Sequence, residues 1–88
     1  MANLGAYKIN TLNNYQKVSD LTGLTFEDDK TYTLQVQGRA YIINSATVPT
    51  EGGFLLKDNQ IVNFTKEAGV DFYIKTNFWL PCVLNIAE

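Results

Sequence analysis

Thr31-Tyr32-Thr33-Leu34-Gln35-Val36-Gln37 places Tyr32, Leu34 and Val36 in strict alternation with Thr33 and Gln35. Side chains along an extended chain point to opposite faces in turn, so this alternation predicts a half-buried β-strand. The run Glu27-Asp28-Asp29-Lys30 leads into it as an acidic turn. Those carboxylates lack the ligand spacing and closing glutamate of a calcium loop, which leaves a solvated turn as the better reading. Behind the strand, Gly38 permits a tight turn or bulge. Arg39 to Asn44, with Tyr41, Ile42 and Ile43, reads as a second strand or as the bent continuation of the first.

Downstream, Ser45 to Gly53 is a polar connection marked as a loop by Pro49, Gly52 and Gly53. Gly52-Gly53 is no phosphate cradle, because no lysine follows at the position that mechanism needs. Phe54 to Lys57 and Gln60 to Thr65 flank Asp58-Asn59, which predicts a hairpin with a two-residue turn. Val70, Phe72 and Ile74 then alternate with Asp71, Tyr73 and Lys75. In the final run Phe78, Leu80, Cys82, Leu84 and Ile86 share one parity, opposite to Trp79, Pro81, Val83, Asn85 and Ala87. Pro81 cannot donate to a ladder, so this strand is expected at an edge or bulged there.

Upstream, Gln16 to Phe26 reads as one short strand and an irregular crossing. Residues 1–15 fit neither a period of 2 nor one of 3.6, and are read as an N-terminal arm ahead of a β-domain at 16–88. Its apolar positions Leu4, Tyr7, Ile9, Leu12 and Tyr15 leave two readings: a lead-in that drapes or frays, and an arm docked on a neighbouring subunit. No helical period is sustained anywhere. The expected fold is all-β: a small single-domain antiparallel sandwich or barrel of six to seven short strands with an extended N-terminal arm.

Composition narrows the function. An apolar fraction of 45% supports a compact core. A net charge of -2 is far from the basic excess that phosphate neutralisation requires, so nucleic acid is not an expected partner. No apolar run approaches the roughly 20 residues that span a bilayer, and no signal peptide is visible, so no membrane association is expected and maturation in the cytoplasm is. The chain has no histidine and a single cysteine, Cys82. That excludes histidine bases, cysteine–histidine nucleophiles and the usual zinc sites. Glu51, Asp58, Glu67 and Asp71 lie on expected turns or strand edges and read as surface charge. An enzyme is not expected, nor a cofactor or metal.

Aromatic side chains are the remaining signal, since Tyr41, Tyr73, Phe78 and Trp79 exceed what one core of this size holds. Trp79 has the wrong parity for the apolar face of its own strand. A second sheet packing there, a subunit interface, and a sugar-stacking platform all answer that observation.

Three pieces of the chain carry a resemblance. Phe26-Glu27-Asp28-Asp29-Lys30-Thr31-Tyr32-Thr33-Leu34-Gln35-Val36 resembles a Phe-x-x-Gly-Lys-Thr-Tyr-Thr-Leu-Gln opening of small tailed-bacteriophage virion proteins, with Asp29 where that pattern has glycine. Pro49 to Phe54 fits the same pattern. So do Asp71 to Thr76 and Leu84-Asn85-Ile86-Ala87-Glu88, while Trp79-Leu80-Pro81-Cys82 replaces a more polar stretch. The likeness covers roughly residues 20–88 and rests on β-strand signatures.

What the resemblance implies is a structural virion protein made in the host bacterial cytoplasm: a capsid decoration, head-fibre or tail-associated module. Its expected partners are copies of itself, as a homotrimer by the resemblance alone, and the major capsid or another virion protein. Leu4, Tyr7 and Ile9 are the expected docking residues, and Tyr41, Phe78 and Trp79 the expected subunit interface. The alternative is a tail-associated carbohydrate-binding module for host glycans, with Trp79 and Tyr73 as stacking rings.

Overall fold

A computed structural model describes residues 3–10, 14–76 and 81–88. The alternating stretch is a strand, and its parity decides which side chains meet. Tyr32, Leu34 and Val36 are at most 1% exposed. They lie on β3 (Thr31–Gln37), which runs between β8 (Cys82–Ala87) and β6 (Ile61–Thr65). With β1 (Asn3–Ile9) beyond β8, the first sheet has the order β1-β8-β3-β6. The second has the order β2 (Gln16–Lys17), β7 (Asp71–Thr76), β4 (Ala40–Ser45), β5 (Phe54–Leu56). Every ladder is antiparallel.

The two sheets bury their apolar faces against each other, a sandwich with open edges. Ala40 and Ile42 of β4, Phe72 and Ile74 of β7, and Cys82, Leu84 and Ile86 of β8 join the β3 residues in one cluster, with Ile9, Val18 and Leu56. The period-2 pattern of the last strand is realised from Cys82 to Ile86, where the buried residues alternate with half-buried Val83 and Asn85. Aromatic rings close one end of the core. Phe26 meets Tyr32 at 4.8 Å and Phe72 at 5.1 Å in edge-on geometry, and Phe64 lies 5.9 Å from Phe72. Such edge-on contacts suit the ring quadrupoles and add to the burial itself.

Four expectations need correction. Asp58-Asn59 does turn the chain, with Asn59 at φ 65° and Gln60 N–H bonded to Lys57 C=O at 3.0 Å. Yet β5 and β6 do not pair as a hairpin: β5 joins β4 and β6 joins β3, in different sheets. The reason lies in what the turn docks on. Asn59 N–H bonds Val36 C=O at 2.7 Å, and Asp58 accepts from Gly38 N–H at 2.9 Å, so the corner is fastened where β3 itself crosses to β4. Each limb then follows a different sheet.

Second, Val18–Thr22 forms a short helix, α1, capped by Gly23 at φ 75° with its N–H on Ser19 C=O. Only two residues of the expected strand, β2, remain. Third, the strand after Pro81, β8, is not an edge over its described residues, since it pairs with both β1 and β3. Fourth, Asn3–Ile9 of the expected arm is extended but is a full partner in the first sheet, with Ile9 opposite Cys82.

Candidate interaction surface

β5 and β6 are consecutive in the chain, joined by the Asp58-Asn59 corner, and each is the last strand of its sheet. The same side of the sandwich therefore carries two open edges, each with one row of backbone groups outside its own ladder. Its side chains are apolar. Phe54 is 64% exposed, Ile61 60% and Leu55 39%. Among the described residues the one other large apolar side chain so exposed is Val48. A groove of about 400 Å³ runs between the two strands, lined by Phe54, Leu55, Leu56, Val62 and Phe64 with Gln60 and Asn63.

The opposite side differs in kind. β1 has a register shift between Asn3 and Gly5 and carries Lys8, and β2 has two residues, one of them Lys17, before α1 begins. Bulges, lysines and short length are the devices by which edge strands avoid pairing. Phe54-Leu55-Leu56 and Ile61-Val62-Asn63-Phe64-Thr65 contain no charge and no proline.

A second feature lies over the outer face of the second sheet. Tyr15, 4% exposed, donates its hydroxyl to the Gly52 carbonyl, which ties the chain before β2 to the loop 46–53. Lys75 Nζ sits 4.9 Å from the centre of the Tyr15 ring and 5.3 Å from that of Tyr41, between two π faces. Burial pushes the Tyr15 phenol up, and nearby Tyr41 adds to it. Tyr15, Val48 and Tyr73 line one groove of about 380 Å³ together with Gln16, Lys17 and Asp20.

The residues singled out from sequence are not brought together. Ile9 is 1% exposed and belongs to the chain's own core, where Leu4 and Tyr7 also pack, Tyr7 with its hydroxyl on Leu4 C=O at 2.9 Å. Ile9 is therefore spent on the chain's own core. Tyr41 is half-buried beside Lys75. Phe78 and Trp79 lie outside the described residues. Tyr73 is 3% exposed and offers no open ring for a sugar. Glu51, Asp58 and Glu67 are exposed, and Asp71 pairs with Lys17 at 3.5 Å. Cys82 is 2% exposed, and burial pushes its thiol up. The exposed edge was missed, although the unalternating run Phe54-Leu55-Leu56 beside a turn was its signal.

Among the described residues no group of three or more histidine, cysteine or carboxylate side chains is placed to hold a metal ion. No helix among them is long and apolar enough to cross a membrane. Neither a family model, nor a curated protein, nor a solved structure matches the chain.

Proposed function

We propose that this chain is a structural, non-catalytic component of a tailed-phage particle, working through protein–protein contacts with copies of itself and with a capsid or other virion protein. The carrying observation is the concentration of exposed apolar side chains, Phe54, Leu55 and Ile61, on one unguarded side of the sandwich. Apolar surface clustered in this way is costly in water and is the usual mark of a surface that another protein covers. The sequence resemblance to small virion proteins supplies the setting, and it alone implies three copies. Repeated attachment on a particle makes weak single contacts sufficient.

The reading is tested on particles. Tailed particles purified by density gradient from a host that encodes the chain should contain it in a fixed, multiple copy number by quantitative mass spectrometry, and antibody to the chain should label them in immunogold electron microscopy. Particles free of the chain would overturn the reading.

A further inference from the structure

We propose that the β5/β6 side is a homotypic pairing surface, at which β6 of one copy adds antiparallel to β6 of a second copy about a two-fold axis at Asn63. The inference rests on the self-assembly part of the reading above and specifies its surface and symmetry.

The backbone comes first. β6 is laddered to β3 from Thr31↔Thr65 to Gln35↔Ile61, and among the described residues no strand lies beyond it in the first sheet. Backbone groups alternate in direction along a strand, and those of Ile61, Asn63 and Thr65 form an outward row of donors and acceptors that another strand can complete. Nothing on Ile61–Thr65 blocks approach: it has no charge and no proline.

The side chains then select a copy of the same strand. Antiparallel pairing about Asn63 sets Val62 opposite Phe64 of the second copy and Ile61 opposite its Thr65. Parity is preserved, so half-buried Val62 and Phe64 of both copies stay on the inner face and extend the core across the junction. Ile61, Asn63 and Thr65 stay on the outer face. One layer away, exposed Phe54 and Leu55 of β5 border the same junction.

Charge agrees with the register. The corner before β6 carries exposed Lys57, and the turn after it carries exposed Glu67, while Lys66 is buried and held by Asp28 of its own chain. A two-fold axis at the middle of the strand brings each corner beside the other copy's turn. Exposed Lys57 of each copy then stands near exposed Glu67 of the other, at both ends of the junction. The pair is isologous and closes at two copies, which sets it against the three copies that the resemblance implies.

The test is a cross-link with a mass measurement. In the full chain Asn63→Cys places the two new thiols opposite each other at the axis, where cross-strand Cβ atoms stand about 4.5–5.5 Å apart, near disulfide range. Ile61→Cys places them on opposite sides of the axis, several residues from one another. Under mild oxidation N63C should form a covalent dimer on reducing-agent-sensitive gels and I61C should not. Light scattering of the parent should give twice the chain mass. The doubly substituted I61K/N63K protein, with unchanged circular dichroism, should dissociate with a constant raised at least tenfold.

A parent that stays monomeric at high concentration, with N63C uncross-linked, overturns the pairing. If such a monomer is still found on particles, the virion reading stands without it. A trimer in which N63C does not cross-link overturns the pairing and keeps self-assembly by another surface.

Discussion

The hydroxyl of Tyr15 donates to the carbonyl of Gly52, 37 residues away in sequence. One hydrogen bond thus holds the loop 46–53 against the segment that enters β2, and Gly53 beside it adopts φ 106° with no room for a side chain, because an added Cβ would meet the Tyr15 hydroxyl. Tyr15→Phe removes the bond and should cost about 1 kcal/mol in urea unfolding. Gly53→Ala meets both strain and overlap and should cost about 2 kcal/mol. A smaller loss in G53A than in Y15F would mean that the loop rearranges freely.

The same tyrosine gives the alkaline limb of stability. Burial and nearby Tyr41 raise its phenol above the ordinary value of 10.0 in the folded chain. Between that value and the raised one, the unfolded chain has lost the proton that the folded chain retains, so stability falls as pH rises. The contribution is complete below pH 10 and lost through the folded-state value. Tyr15→Phe should flatten the fall in stability above pH 10 in denaturant titrations, leaving the slope at neutral pH unchanged.

Asp29 takes φ 63°, the left-handed region that glycine enters at little cost. Its N–H bonds Lys66 C=O at 2.6 Å. Asp29→Gly should therefore stay within about 0.5 kcal/mol of the parent, the eased backbone offsetting the looser unfolded chain. Asp29→Ala keeps the strain without a short polar side chain to ease it, and should cost about 1 kcal/mol. Thermal denaturation of the two variants checks the order.

Lys66 is 8% exposed, and its ammonium reaches Asp28 at 2.9 Å and Glu67 C=O at 2.8 Å. The two ends of the pair are unequal, since the Asp28 side chain is 56% exposed. Asp28→Ala leaves a mostly buried cation short of a partner and should cost about 1–2 kcal/mol. Lys66→Met returns Asp28 to water and keeps the packed stem, so it should cost less. Urea midpoints of both variants decide it, and the reverse order would show that Asp28 is the group that needs the pair.

What was legible in the sequence follows from what each signal specifies. Tyr32-Leu34-Val36 and Cys82-Leu84-Ile86 were readable because burial on one face imposes a period of 2, whichever strands are neighbours. Asp58-Asn59 announced a turn, since such residues tolerate positive φ, but turn chemistry does not choose partners. The choice came from Asn59 and Asp58 bonding to Val36 and Gly38, contacts between distant parts of the chain. β2 and α1 are two and five residues long, too short for either period to register. The apolar character of Leu4, Tyr7 and Ile9 is visible in the sequence, and the pairing of their strand with β8 is not. The unalternating run Phe54-Leu55-Leu56 hints at an unusual strand, but that β5 and β6 end their sheets is a property of strand order, which a local pattern does not specify.

Cys82 reports on the stability of this arrangement. It opens β8 opposite Ile9 of β1, is 2% exposed, and burial raises its thiol above the usual range. Thiolate is the reactive form, so inaccessibility and a depressed thiolate fraction act together against modification. A disulfide reagent at pH 8 should label the folded chain at least about a thousandfold more slowly than the urea-unfolded chain, because labelling waits for an opening that costs a large part of the folding free energy. Gly38 lies at φ 114°, and a Cβ added there would come within 3.0 Å of the Cys82 Cβ. Gly38→Ala should therefore displace the start of β8 and accelerate labelling well beyond what its loss of global stability predicts. Equal acceleration of labelling and of global unfolding would mean that the strand opens only with the whole sandwich.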